Sequence, residues 1–154
     1  MKNIVSAMQA LRNCLIEHIN DYIAENNTQE VAVPVITGDM VRIDTPDIDK
    51  LPYSTMIYII PDYIQHSPES TCMVRNTDNV KVWVFCKRDK NENLVGKACA
   101  IYSSILQTIL NYRTLMTGVN LADFQSADFY PAIAASNTMA AFEINISLMY
   151  ALHV

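Results

Sequence analysis

The sequence predicts an α+β fold in which a mainly antiparallel sheet of four to five strands packs against two helices in a single domain. Its 154 residues match the length of one ordinary domain. Two stretches repeat apolar residues at three- and four-residue steps, as helices do, and several others alternate apolar and polar residues, as strands do. Hydrophobic residues make up 51% of the chain and charged residues 18%, which supplies a core and excludes a disordered chain.

The first predicted element is an amphipathic helix over residues 4–24. Apolar side chains recur along one side of it at Ile4, Met8, Leu11, Leu15, Ile19 and Tyr22. Asn26 and Asn27 favour an end to the helix just beyond this stretch. The next residues, 31–36, have a strand-like composition, but Pro34 has no amide hydrogen for a ladder, so an edge strand or a loop is predicted.

An irregular, acidic connection is predicted over residues 37–52. It combines turn-forming residues with three aspartates, Asp44, Asp47 and Asp49. Clustered carboxylates can bind a hard cation, but these lack the glycine and the terminal glutamate of a calcium-binding loop. The aspartates are therefore predicted to lie in a solvated turn without a metal ion.

A strand is predicted over residues 53–60, followed by a hairpin whose strands, Thr71–Arg75 and Val80–Arg88, flank a turn at Asn76–Asn79. Along the second of these strands the side chains alternate between two faces. Val80, Val82, Val84 and Cys86 share one face, and Lys81, Trp83, Phe85 and Lys87 share the other. The two aromatic rings on the second face need cover, which a loop or helix of the same chain or a neighbouring subunit could supply.

The alternation of basic and aromatic residues on this strand also permits a nucleic-acid surface, in which bases stack on Trp83 and Phe85. The net charge of the chain is −5, which disfavours nonspecific attraction to nucleic acid. Nucleic-acid binding is therefore a minor alternative, and no specific binding is expected.

The second helix is predicted over residues 94–113, with Asn91 or Asn93 as its N-cap. Its apolar stripe consists of Leu94, Ala98, Ile101, Ile105, Ile109 and Tyr112. A C-terminal hairpin is predicted over residues 127–151, because its last strand alternates apolar and polar residues with period two.

The sequence contains no GxxxxGK[ST], GxGxxG, HExxH or GxSxG motif. Its four cysteines form no CxxC pair and have no histidine at ligand spacing, which argues against a zinc site. We therefore expect no catalytic centre, cofactor or metal. One alternative stays open, a small-molecule-binding or enzymatic domain whose site is assembled from dispersed residues such as Tyr58, Tyr102, His18 and Cys99.

No stretch approaches the roughly 18 apolar residues that cross a bilayer, because the richest run, Met56–Ile60, ends at Pro61. Gln9 and Arg12 interrupt the start of the chain before an apolar signal segment could form. We therefore expect neither a signal peptide nor a transmembrane segment.

The order of these elements resembles that of the tail terminator and tail-completion (head-tail joining) proteins of long-tailed bacteriophages. The segments that carry the resemblance are Tyr53–Pro61, Val80–Arg88, Leu94–Arg113, Phe129–Ile133 and Ala141–Ser147. The resemblance spans nearly the whole chain and rests on element order, length and pattern. It implies a non-enzymatic subunit of a phage or prophage tail. Such subunits form a ring, typically a hexamer, that terminates or completes the tail tube and joins it to the neck.

The same resemblance implies that the partners are further copies of the chain and the tail tube and neck proteins. It also implies assembly in the cytoplasm of a bacterial host and then residence in the virion tail. The interface residues predicted for such a ring are Trp83, Phe85, Lys87, Arg88, Lys90, Asp44, Asp47 and Asp49. We expect the acidic connection of one subunit to meet Lys87, Arg88 and Lys90 of the next, because acidic and basic residues are segregated along the chain.

Overall fold

Both helices begin at an asparagine whose side chain caps the first turn. Asn3 Oδ1 accepts a hydrogen bond from Ser6 N at 3.0 Å at the start of α1, which spans Ile4–Asn26. Asn93 Oδ1 accepts one from Gly96 N at 3.0 Å at the start of α2, which spans Leu94–Tyr112. Each cap satisfies an amide that has no partner within its helix.

The computed structural model describes residues 3–28, 31–68, 73–88, 93–130 and 138–153, and of residues 63–68, 73, 152 and 153 it describes the backbone. Five strands form one sheet: β1 (Val41–Arg42), β2 (Thr55–Pro68), β3 (Met73–Lys87), β4 (Leu121–Tyr130) and β5 (Met139–His153). Their order in the sheet is β1-β2-β3-β5-β4. Only β1 and β2 run parallel, and the other pairs are antiparallel. The predicted α+β class is thus confirmed, as a single compact domain.

The two helices cover one face of this sheet. The side chains of β3 that point towards them, Val80, Val82, Val84 and Cys86, are fully buried. Ile101, Ile105 and Ile109 of α2 are also fully buried, as are Leu11, Leu15 and Ile19 of α1. The core therefore lies between the helices and the sheet. The face of β3 that strand alternation assigns to the valines is the face that packs in this core.

The predicted turn at Asn76–Asn79 is wrong, because these residues lie within β3 and pair with both neighbouring strands. Asn76 is paired with His66 of β2 and with Tyr150 of β5. Asn76 Nδ2 donates to Tyr150 Oη at 3.3 Å, and Tyr150 Oη donates to the buried carboxylate of Asp78. Ladder hydrogen bonds on both sides, together with these side-chain bonds, outweigh the turn preference of Asn and Asp.

Residues 31–36 form a loop rather than an edge strand. Asn20 of α1 holds this loop through both of its amide atoms, since Oδ1 accepts from Ile36 N at 2.7 Å and Nδ2 donates to Ile36 O at 2.9 Å. Arg12 then donates to Gly38 O at 2.9 Å and to Val41 O at 2.7 Å. These hydrogen bonds hold the loop against α1 and position the start of β1.

Candidate interaction surface

The sheet face opposite the helices, called the open face below, presents side chains that could bind a partner. The strand register aligns Tyr58 of β2 with Trp83 of β3 and Glu143 of β5. It aligns Phe85 with Met56 on one side and Ala141 on the other. Because side chains alternate along a strand, all of these lie on the open face.

Four aromatic rings form a continuous row across the open face. Tyr58 and Phe85 meet edge to face with 5.9 Å between ring centroids. Phe85 and Trp83 lie nearly parallel at 5.7 Å, and Trp83 contacts Tyr130 at 5.6 Å with a tilt of 30°. Such ring pairs hold one another in place as well as burying apolar area. This aromatic row, Tyr58–Phe85–Trp83–Tyr130, is therefore a rigid platform.

The chain itself covers one end of the aromatic row. Phe85 is 1% exposed and Tyr58 is 4% exposed. Burial raises the pKa of Tyr58, and the nearby charges of Arg42 and Asp44 shift it in opposite directions, so the acidic connection lies beside this ring. Cover from the same chain thus accounts for Phe85, while Trp83 and Tyr130 at the other end of the row stay accessible.

A charged network borders the accessible end of the row. Lys81 Nζ lies 2.7 Å from Glu143 Oε1, and Tyr130 Oη donates to Glu143 Oε2 at 3.3 Å. The hydrogen bond to Glu143 raises the pKa of Lys81, and the charge of Glu143 raises the pKa of Tyr130. The charge of Asp62 also raises the pKa of Lys81, and the charge of Asp128 also raises the pKa of Tyr130. With three carboxylates around one ammonium group, this end of the open face carries net negative charge.

The predicted charged interface residues lie at the surface. Asp44, Asp47 and Asp49 are exposed, and two of them accept bonds from nearby amides, Asp44 from Thr45 N and Asp47 from Asp49 N. Lys87 and Arg88 are exposed at the end of β3. Among the described residues no ion pair joins the aspartates to Lys87, and Lys90 lies outside those residues.

The nucleic-acid alternative requires two accessible rings on this strand, and Phe85 does not meet this requirement. Phe85 is buried, and Lys81 is paired with Glu143. Of the two rings on this strand, Trp83 is the one that retains partial exposure. The face therefore offers little of the basic stacking surface that single-stranded nucleic acid needs.

The dispersed residues of the alternative site lie in separate places. Tyr58 is on the open face, whereas Tyr102 of α2 stacks on Phe142 of β5, on the face that the helices cover, with 4.7 Å between ring centroids. His18 stacks on Tyr112 at 3.7 Å, and Cys99 is exposed on α2. In the described part of the chain no three His, Cys, Asp or Glu side chains are grouped to hold a metal ion.

Sequence reasoning missed a groove of about 620 Å³ between α1 and the turn that follows α2. The stacked rings of His18 and Tyr112 line it, together with Val5 and Leu115, whose apolar side chains are exposed. Burial, assisted by the charge of Glu17, raises the pKa of the Cys14 thiol in its wall to about 11. The groove forms only when the helices pack, so helical periodicity could not reveal it.

Neither of the described helices is long and apolar enough to cross a membrane. No protein-family model matches the sequence, and no curated protein matches it. Among solved structures, the fold is similar to that of a chain in the "Virion of native gene transfer agent (GTA) particle". The TM-score is 0.55 and the sequence identity 12%, over 75% of this chain and 81% of that chain. The protein therefore shares its fold with a chain of that virion.

Proposed function

We propose that the protein is a structural subunit of a phage or prophage tail, forming a ring that terminates or completes the tail tube and joins it to the neck. The observation that carries this proposal is the fold similarity to a virion chain, which covers 75% of this chain and 81% of the other. The order of helices and strands, which resembles that of tail terminator and tail-completion proteins, also supports this proposal. In this role the subunit assembles in the host cytoplasm, acts by binding rather than by catalysis, and ends in the virion tail.

The described surface suits a subunit of this kind. Trp83 and Tyr130 are accessible on a rigid row of rings, and aromatic residues are enriched at protein interfaces. The exposed aspartates of the acidic connection and the exposed Lys87 give each subunit charges of both signs. Copies related by rotation could pair these charges in a closed ring, of which a hexamer is the form that the resemblance implies.

The direct test is the composition of purified particles from the producing host. Quantitative mass spectrometry is expected to find this chain at a fixed copy number, far below that of the major capsid and tube proteins. Particles from a strain with the gene deleted are expected to lack joined heads and tails. Intact, infectious or DNA-transferring particles without the chain would contradict the proposal.

A second candidate function is a small-molecule-binding or enzymatic domain, and the groove beside His18 is the observation that favours it. Its volume of about 620 Å³ falls within the range of about 300–1,000 Å³ typical of ligand sites. A thermal-shift screen tests this function, since a ligand that binds only the folded state raises the melting temperature. A His18→Ala variant that loses the shift would assign the ligand to the groove.

A further inference from the structure

We propose that the open face of one copy binds the turn that follows α2 of a second copy, with Arg113 of that turn stacked on Trp83 beside Asp128. This contact rests on the proposed function, because it would be one of the contacts repeated between neighbouring subunits of the ring. It joins two different surfaces of the molecule, each of which shows features that its own fold does not require.

The turn over residues 113–118, called the α2 turn below, exposes an apolar side chain and a cation. Leu115 is 70% exposed, more than any other large hydrophobic side chain in the described part of the chain. Arg113 is exposed and is the only charged residue between Lys97 and Asp123. Val5, across the groove from Leu115, is 56% exposed and extends the apolar surface.

The α2 turn is also rigid. Leu115 N donates to Tyr112 O at 3.0 Å, and Ala122 N donates to Arg113 O at 2.7 Å. Met116 is buried beneath the turn, and Gly118 has a φ of 81°, a conformation that side chains rarely allow. Because the backbone is already ordered, docking this turn costs little conformational entropy.

The open face offers a matching surface. Trp83 lies between Phe85 and Tyr130, so its ring is held in place, and Tyr130 is 37% exposed. Glu143 is paired with Lys81, which leaves two exposed carboxylates at this end of the face, Asp62 near Lys81 and Asp128 near Tyr130. A guanidinium group can stack on an aromatic ring while it donates to a carboxylate, which an ammonium group does less well.

The two surfaces are complementary in charge and in polarity. The α2 turn presents one cation and exposed leucine, and the accessible end of the open face presents carboxylates and aromatic rings. Trp, Tyr and Arg are also the residues that most often dominate binding energy at interfaces. Since α2 packs on the opposite face of the sheet, the contact is head-to-tail, the kind that closes rings.

The test is the self-association of the full chain, followed by sedimentation velocity and native mass spectrometry over a concentration series. Arg113→Glu and Asp128→Arg are each expected to weaken association by at least about tenfold in dissociation constant. The combined variant Arg113→Glu, Asp128→Arg is expected to recover most of the loss, because it exchanges the two charges. Asp21→Arg, which makes the same charge change as Asp128→Arg on the exposed side of α1, is the matched control and should associate as wild type does.

Circular dichroism and thermal melting of every variant verify that the monomer is folded, since all three positions are exposed. A wild type that associates while both single variants associate equally well would overturn this contact and leave the proposed ring standing. Failure of the combined variant to recover would overturn the pairing of Arg113 with Asp128. A folded wild type that stays monomeric at every concentration would count against both the contact and the ring.

Discussion

Lys81 on β3 and Glu143 on β5 form an ion pair of 2.7 Å on the open face, with side chains that are 30% and 11% exposed. The strand register places these residues one diagonal step apart, since Lys81 is aligned with Asn145 and Glu143 with Trp83. The pair therefore ties the charged network to the aromatic row. It also neutralises one carboxylate of a region that is otherwise acidic.

We expect this pair to contribute about 1 kcal/mol to the free energy of unfolding, because it is partly desolvated and hydrogen-bonded. A double-mutant cycle with Lys81→Met and Glu143→Gln, followed by urea unfolding, measures the coupling. The raised pKa of Lys81 means that the coupling is complete below the pKa of an unfolded lysine and is lost as the pH rises through the folded value. Strictly additive single effects at neutral pH would contradict this prediction.

The stability of the fold is expected to fall as the pH rises from about 9 to about 12. Burial raises the pKa of Cys14 to about 11, and burial with hydrogen bonding to Asp78 raises the pKa of Tyr150 to about 12. The folded state keeps both protons at a pH where the unfolded state releases them, so the contribution is complete below about pH 9 and declines above it. Each group accounts for about 3 kcal/mol at full effect.

Unfolding in urea at closely spaced pH values measures this decline. Tyr150→Phe removes one ionisable group, so its stability should change less steeply between about pH 10 and pH 12 than that of wild type. Cys14→Ala should reduce the loss of stability that begins near pH 9 in the wild type. Parallel profiles for wild type and both variants would show that these groups are not the cause.

Gly96→Ala is expected to lower the stability, although alanine is the better helix former. A Cβ atom at this position would lie 2.7 Å from Val31 Cγ2 and 2.9 Å from Asn93 Nδ2. The clash strains both the loop before β1 and the N-cap of α2, and we expect a net cost of about 1–2 kcal/mol. Thermal unfolding measures it.

Gly38→Ala is the matched control for this prediction. A Cβ atom there would make ordinary contacts, 3.7 Å from Arg12 and 3.9 Å from Ile16. Its melting temperature should stay close to that of wild type. An increase in melting temperature on Gly96→Ala would mean that the loop moves away at little cost.

The charge segregation predicts that reversing Lys87 and Arg88 to Glu weakens self-association. In the proposed ring these residues meet the acidic connection of the next subunit, so reversal replaces attraction by repulsion. Sedimentation velocity at low and high salt measures the effect, which should shrink as salt screens the charges. Recovery on adding Asp44→Lys and Asp47→Lys to the same chain would identify the pairing, and unchanged association of the reversed chain would disprove it.

Patterns that repeat along the chain predicted the helices, the strand alternation and the shared face of Trp83 and Phe85. Interactions between distant segments were not predictable in the same way. The turn preference of Asn76–Asn79 is a local property. It is outweighed by the backbone hydrogen bonds that β3 makes with β2 and β5, which form only in the assembled sheet.

On the candidate surface, too, local patterns predicted some features, whereas contacts between distant segments were not predictable. Alternation indicated that the two rings needed cover, but the partner of Lys81 depends on the register between β3 and β5. Phe85 is buried in the folded chain, and the acidic connection lies beside its neighbour Tyr58, along a path that no periodicity describes. Glu143 was therefore missed, although its position among alternating apolar residues of β5 was a visible signal of a polar group at the open face.

The measurement that tests the central claim most directly is the solution mass of the full chain over a wide concentration series, by native mass spectrometry and light scattering. A compact monomer of this length has a radius of gyration of about 15 Å, so a ring would be distinguished at once. The account predicts a closed oligomer of defined copy number, with a hexamer as the expected form. A monomer at every concentration, combined with its absence from purified particles, would contradict the account.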